Sequence, residues 1–244
     1  MPDVPAFESS PNRDNELEQR VQIMKTTSDR LAKQRKRMLT QLRTDGILDA
    51  AVLEAFAAVP REAFVPIELE ENAYDNRPLP IGNQQTISQP YIVALMTEAL
   101  NLKPTDRVLE VGTGSGYAAA ILAEIAVEVF TIERFQSLAD SAEAQLNTLG
   151  YGNVYVIHGD GTQGWPEEAP YDAIIVAAGG PDIPQPLVDQ LRVGGRLVMP
   201  VGDQRAGQRL IRATKRADGT IEQEKLAYVR FVPLVGQAGW AEEV

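Results

Sequence analysis

The residues best suited to chemistry gather around one glycine-rich turn, Leu109-Glu-Val-Gly-Thr-Gly-Ser-Gly-Tyr117. Gly112, Gly114 and Gly116 let the chain bend sharply and let a ligand approach the backbone. The free N–H groups at the start of the following helix favour a negative group such as a carboxylate. The spacing Gly-x-Gly-x-Gly differs from the Gly-x-Gly-x-x-Gly of dinucleotide binders, which counts against a nicotinamide-dependent oxidoreductase. Three acids fall in register with the turn. Glu110 precedes it, Glu133 ends the next apolar run, and Asp160 ends the third within Gly159-Asp-Gly161. An acid placed like Glu133 can accept hydrogen bonds from both hydroxyls of a ribose. Asp160 is placed to reach an adenine edge. Singly, Glu110 and Glu133 are equally well read as solvated strand ends; the set in register points to an adenosine-bearing ligand.

A second cluster lies upstream in Arg77-Pro-Leu-Pro-Ile-Gly-Asn-Gln-Gln-Thr-Ile-Ser-Gln-Pro-Tyr91. Two prolines before a glycine predict a loop leading into a helix. Its uncharged hydrogen-bonding groups Gln84, Gln85, Thr86 and Ser88 suit a site that orients a carboxylate without a fixed positive charge. Ser88 is also a natural helix cap, because Pro90 follows closely. The single histidine, His158, excludes mechanisms that need two, and its place beside Gly159 points to packing. With no cysteine there is no disulfide, zinc–thiolate site or thiol nucleophile, a composition that fits the cytoplasm.

The elements that must position these residues follow from periodicity. Short apolar runs at 107–111, 128–132, 154–157, 173–176 and 196–199 predict strands. Helical patterns fall between them at 117–125, 137–149 and 186–191, with another over 91–100. This alternation predicts βαβ units and a mainly parallel sheet buried on both faces. Residues 209–215 and 228–234, joined by Ala217-Asp-Gly219, predict an antiparallel edge hairpin. Residues 1–14 read as a flexible tail. A helix is expected from Asn15, broken near 26–29 and stopped by Gly46, then a short helix capped by Asp49 and ended before Pro60. Arg30, Lys33, Arg35, Lys36 and Arg37 read as a solvated helix face. The chain of 244 residues is thus one domain over 15–244. It divides into an N-terminal helical part (15–75), a substrate loop and helix (76–104), a cofactor-binding core (105–205) and C-terminal strands (206–244).

Lys plus Arg is 23 and Asp plus Glu is 34, a formal charge of −11. Phosphate contacts need Lys and Arg, so a general nucleic-acid partner is not expected. No apolar run reaches the roughly 18 residues of a membrane span, and residues 1–10 lack the pattern of a secretory signal.

Glycine turn and acids together resemble the S-adenosylmethionine methyltransferases. The upstream stretch narrows this. Pro80-Ile-Gly-Asn-Gln-Gln-Thr-Ile-Ser-Gln-Pro90 is similar to the Pro-Ile-Gly-x-x-Gln-Thr-Ile-Ser-x-Pro pattern of the protein-L-isoaspartate O-methyltransferase family. The resemblance runs from about residue 35 to Trp240. It includes Val59-Pro-Arg-Glu-Ala-Phe-Val-Pro66, Pro170-Tyr-Asp-Ala173, Gly194-Gly-Arg-Leu197 and Phe231-Val-Pro-Leu234. It implies a doubly wound, mainly parallel, seven-stranded Rossmann-like α/β sheet with an antiparallel C-terminal edge hairpin and N-terminal helices. It implies S-adenosyl-L-methionine as cofactor, held by Gln85, Glu110, Gly112, Thr113, Gly114, Ser115, Gly116, Glu133, Asp160 and Gly161. Ser88 and Thr86 would be catalytic, with Ser88 on the isoaspartyl carboxylate; Ile87, Val232, Pro233 and Leu234 would bind substrate.

The implied reaction methylates the free carboxylate of L-isoaspartyl, and by extension D-aspartyl, residues in damaged proteins, starting repair through a succinimide. A monomer is expected, with damaged proteins as partners and neither metal, nucleic acid nor membrane involved. Two other readings stay open: a related carboxyl methyltransferase for a small molecule or specialised peptide, and a cofactor-binding homologue without activity. The sequence departs from the family pattern in two places. Asn83-Gln84 stands where a glycine is common before Gln85, and Ala178-Gly-Gly-Pro181 where alanine is commoner.

Overall fold

The computed structural model describes residues 11–204 and 206–242; most of the expected N-terminal tail lies outside them. Helix α1 (Pro11–Thr44) begins at Pro11, before the expected start at Asn15, and runs unbroken through the expected interruption at 26–29. Proline is tolerated at a first helical turn because its missing N–H would have no partner there. The Thr-Thr-Ser-Asp run costs only tenths of a kcal/mol per residue. Burial of Leu31, Met38 and Leu42 along one face outweighs that. The basic face of α1 is less solvated than expected. Arg35 donates to Glu62 (3.0 Å) and to the Tyr74 hydroxyl (2.7 Å), and Arg30 pairs with Glu70 and Glu71. Gly46, at φ +102°, ends the helix, and Asp49 caps α2 (Ala50–Ala58) by accepting from Ala51 and Val52 N–H.

The expected substrate loop is a hairpin. Strands β1 (Leu79–Gly82) and β2 (Gln85–Ile87) pair antiparallel around Asn83 and Gln84, both at positive φ. Two central residues with φ > 0 make the tight turn that matches strand twist. The turn was hidden because Asn-Gln stands where Asn-Gly is usual. Leu79 and Ile87 face each other and are buried.

Helix α3 (Pro90–Leu100) leads into the central sheet. Strands β3 (Arg107–Val111), β4 (Glu128–Glu133), β5 (Val154–His158), β6 (Tyr171–Val176), β7 (Leu191–Asp203), β8 (Gly207–Lys215) and β9 (Ile221–Val229) lie in the order β5-β4-β3-β6-β7-β8-β9. The first five are parallel and the last two antiparallel. Helices α4 (Tyr117–Ala123), α5 (Gln136–Thr148) and α6 (Gln185–Gln190) provide crossovers. Alternate residues feed two cores: Val108, Val129, Ala173 and Ile175 face one, Leu109, Val111, Ile132 and Ile174 the other. The fold is the seven-stranded, doubly wound sheet expected.

One strand was misplaced. Residues 228–234 were expected in the edge hairpin, but β9 ends at Val229. The turn at 216–219 sets the register by starting the return strand at once, with Lys215 opposite Ile221. The polar run Glu222-Gln-Glu-Lys225 hid that strand because it lies on an exposed edge. Residues 230–242 leave the sheet as a strap. Gly179 N–H donates to Val232 O (2.8 Å), Leu234 N–H to Gly179 O (2.9 Å), and the Trp240 indole also donates to Gly179 O (2.9 Å). Gln208 receives Phe231 N–H at 2.8 Å. A Cβ at Gly179 would lie 2.6 Å from Gln208 Nε2, so any side chain there must displace the Gln208 amide that holds the strap.

Gly179→Ala should therefore push Gln208 aside and loosen the strap. We expect a loss of roughly 1–3 kcal/mol in urea unfolding. An unchanged midpoint would show that Gln208 is not the strap's anchor.

Candidate functional site

In open α/β sheets ligands bind outside the carboxyl ends of the strands, where the winding reverses. Here that point lies beside β3, which has β4 on one side and β6 on the other. A cavity opens there with about 1090 Å³ of empty space including its mouth. Three separate stretches wall it: the turn after β3, the β2 strand running to Ser88, and the strap at 231–235.

The turn is held by named groups. Gly112, Gly114 and Gly116 have φ of +95°, +55° and +88°, conformations that cost other residues about 1–2 kcal/mol each. Gly112 N–H donates to Ile132 O at 2.8 Å. The Glu133 carboxylate accepts from Gly114 N–H (2.9 Å) and Phe135 N–H (3.0 Å), fastening the turn to the end of β4. Beneath the turn a hydrogen-bond chain runs from Thr113 to Thr131 (2.6 Å) and from the Thr131 hydroxyl to Glu110 Oε2 (2.6 Å). Sequence analysis missed Thr131; its one signal was a hydroxyl within the otherwise apolar Val129-Phe-Thr-Ile132.

Glu110 is 1% exposed and lines the cavity, yet its Oε1 is buried with no hydrogen-bond partner. Burial pushes its pKa up to about 8; the Thr131 hydroxyl pulls against this, and the charge of Glu133 adds to it. A buried acceptor without a partner is costly, so Glu110 Oε1, on a residue that lines the cavity, is a place where a ligand's N–H donor would be stabilising. Gly161 lines the opposite side, where a Cβ would meet Val111 Cγ1 at 2.4 Å, so only glycine fits.

Most of the expected site residues meet here. Gln85, Thr86, Ile87 and Ser88 line one wall; Glu110, Gly112, Thr113, Gly114, Ser115, Glu133 and Gly161 another; Val232, Pro233 and Leu234 the third. Ile87 is buried, Thr86 exposed and Ser88 half-buried. Ser88 is not the helix cap: the cap position of α3 is Gln89, and the Ser88 hydroxyl makes no hydrogen bond among the described residues.

Two expected residues stand outside the cavity wall. Gly116 packs against Leu146 and Ala142 of α5, where a Cβ would crowd Leu146 at 3.2 Å. Asp160 borders an adjoining groove that shares Arg134 and Val235 with the cavity. Its carboxylate accepts from Thr162 N–H (2.9 Å), the Thr162 hydroxyl (2.7 Å) and Gln237 N–H (2.8 Å). Burial opposes its charge, but these hydrogen bonds outweigh burial and lower its pKa. Asp160 thus buckles the strap down beside the cavity. His158 is exposed at the end of β5, with Nε2 3.0 Å from Arg134 O, rather than packed in a core. Among the described residues no cluster of potential ligands could hold a metal.

With this geometry in place, the likeness to known proteins becomes informative. The protein-L-isoaspartate (D-aspartate) O-methyltransferase family model matches residues 33–239. The chain is 59% identical over 211 residues to protein-L-isoaspartate O-methyltransferase 1 of Rhodopseudomonas palustris (strain HaA2), covering 86% of each chain. It is 54% identical over 216 residues to the enzyme of Syntrophus aciditrophicus (strain SB), covering 87% of this chain and 99% of that one. Among solved structures, one protein-L-isoaspartate O-methyltransferase superposes with a TM-score of 0.76 at 29% identity, over 84% of this chain and 67% of that one. A Plasmodium falciparum structure described under the same activity, in complex with S-adenosyl-L-homocysteine, superposes with a TM-score of 0.70 at 29% identity, over 81% of this chain and 96% of that one. The chain belongs to the protein-L-isoaspartate (D-aspartate) O-methyltransferase family, whose model runs from the last third of α1 into the strap.

Proposed function

We propose that this cavity methylates the free carboxylate of L-isoaspartyl residues, and by the family's range D-aspartyl residues, in damaged proteins, using S-adenosyl-L-methionine. The observation that carries the reading is the meeting of three walls distant in sequence: glycine turn, Gln85–Ser88 and strap. The donor chemistry fits. The partnerless Glu110 Oε1 would take the ammonium of the methionine end, the Glu133 carboxylate the ribose hydroxyls, and the Gly161 backbone would lie along the base. Asp160 would reach the adenine only through the groove it borders.

S-adenosylmethionine, when bound, supplies an electrophilic methyl carbon on a sulfonium. The acceptor carboxylate has a pKa of roughly 4, so it arrives ionised and needs no general base. That agrees with a site without cysteine or a second histidine. The chain's own work is alignment. Holding reactants in line at near-attack distance can supply roughly 7–11 kcal/mol of a barrier. Ser88 and Thr86 orient the carboxylate, with the free Ser88 hydroxyl as donor. Gln85 steadies the hairpin by donating to Asn83 O at 3.2 Å. Ile87, Val232, Pro233 and Leu234 grip the peptide and exclude water.

On this reading the chain acts as a cytoplasmic monomer on protein substrates. The charge of −11 disfavours polyphosphate partners. No helix among the described residues is long and apolar enough to cross a membrane.

Three measurements follow. Labelled methyl transfer should proceed to an isoaspartyl peptide and not to its aspartyl twin; equal labelling of both would overturn the substrate assignment. Ser88→Ala should lower kcat by roughly tenfold or more, as loss of one orienting hydrogen bond does, while S-adenosylhomocysteine affinity stays unchanged. Glu110 predicts a pH effect. Its folded pKa is raised, so its share of stability is full below the ordinary value near 4.5 and is lost as pH rises through about 8. Melting temperature of the ligand-free chain should fall over that window. Glu110→Gln should flatten the fall and weaken S-adenosylhomocysteine binding; an unaltered pH profile would remove Glu110 from the account.

A further inference from the structure

Among the described residues, the largest fully buried side chain is a cation. Arg61 is 0% exposed and opens the short turn Arg61–Phe64 in the Val59-Pro-Arg-Glu stretch. A buried charge normally has a counter-ion, because taking an ion out of water costs several kcal/mol. Arg61 has no carboxylate within ion-pairing reach among the described residues. Its neighbour Glu62 is taken by Arg35 and Tyr74. Nε donates to Ala73 O at 2.7 Å and Nη2 to Ser88 O at 2.8 Å, while Nη1 is buried without a partner. The guanidinium carbon lies 4.7 Å from the centre of the Tyr117 ring. Both Tyr117 and Ser88 line the cavity, so the charge sits one side chain behind its wall. Tyr117 does not cancel it. Burial raises the phenol to about 12 against the pull of Arg61, so its hydroxyl stays neutral.

We propose that Arg61 is the positioning residue for the acceptor carboxylate: it pins the Ser88 backbone from behind and supplies the missing counter-charge through the Tyr117 wall. The expectation of a site without a fixed positive charge is thereby revised. Two carbonyls satisfy the hydrogen-bond needs of part of the guanidinium but carry no net charge, so the field remains for an anion entering the cavity. This rests on the functional reading above. Arg is suited to the task because one planar group reaches two carbonyls and a ring face together. Lysine keeps the charge but offers a single point of contact.

The test uses the full chain as wild type, Arg61→Met and Arg61→Lys. The ligands are an isoaspartyl peptide as substrate, its isoasparaginyl twin (a neutral amide) as competitor, and S-adenosylhomocysteine. Arg61→Met should raise KM for the isoaspartyl peptide about tenfold, the size expected for a charge acting through a protein wall. The inhibition constant of the amide twin and the affinity for S-adenosylhomocysteine should both stay within about twofold. Arg61→Lys should restore KM but leave kcat low, because Ser88 is no longer pinned. A fold defect would move both peptides alike. Parallel losses for acid and amide, or no change in either, would overturn the proposal. Should the methionine variant fail to fold, the lysine variant decides: KM kept with lowered kcat supports the proposal, and KM raised equally for acid and amide overturns it. A wild type that labels no isoaspartyl peptide would overturn the functional reading and this inference together, an outcome distinct from failure of the variants alone.

Discussion

The carboxylate of Glu133 holds the glycine turn to the end of β4, and the site depends on that grip. A turn with three glycines at positive φ has few side chains to fix it and a large entropy to lose. Two backbone N–H groups donate to the Glu133 carboxylate, and Ile132 O takes a third from Gly112. The bend is therefore set before any ligand arrives. Below it, Thr113, Thr131 and Glu110 form a buried polar chain that is satisfied everywhere except at one Glu110 oxygen. A fully satisfied chain would only be scaffolding. The single open acceptor marks where a donor belongs.

Around that turn the fold brings two movable-looking pieces to fixed positions. The β1–β2 hairpin is set by its tight turn and by the burial of Leu79 and Ile87, which puts Thr86 and Ser88 on the cavity side. The strap is set from the opposite side by Gly179, Gln208 and Asp160. Arg61 joins the first piece to the N-terminal part, since it donates to Ala73 and Ser88 at once.

The sheet was readable because parallel strands covered on both faces are near-continuous apolar runs, and helices of helical period lie between them. The glycine turn was readable because three glycines in five residues mark a bend at positive φ, which glycine adopts most readily. Segments governed by tertiary contacts were not readable. The hairpin carried Asn-Gln in place of a stronger turn pair. The strand at 221–229 was polar because it forms an exposed edge, and apolar residues 231–234 looked like its continuation while serving the cavity instead. Gly116 and Asp160 matched a binding pattern but stand outside the cavity wall, Gly116 against Leu146 and Asp160 accepting from the strap, contacts that spacing alone does not show. Arg61 stood in a recognised motif with no hint that it would be buried without a counter-ion, since burial belongs to the fold and not to the residue type. The Asn83-Gln84 and Gly179-Gly180 departures both find structural roles, in a turn and a seat, and leave the cavity wall intact.

The central claim is geometric, and a crystal structure of the chain with S-adenosylhomocysteine tests it most directly. The account predicts the amino group beside Glu110, the ribose hydroxyls on Glu133, and the sulfur facing the space under Thr86 and Ser88. A product bound elsewhere, or a sulfur walled off from Ser88 by the hairpin or the strap, would contradict it.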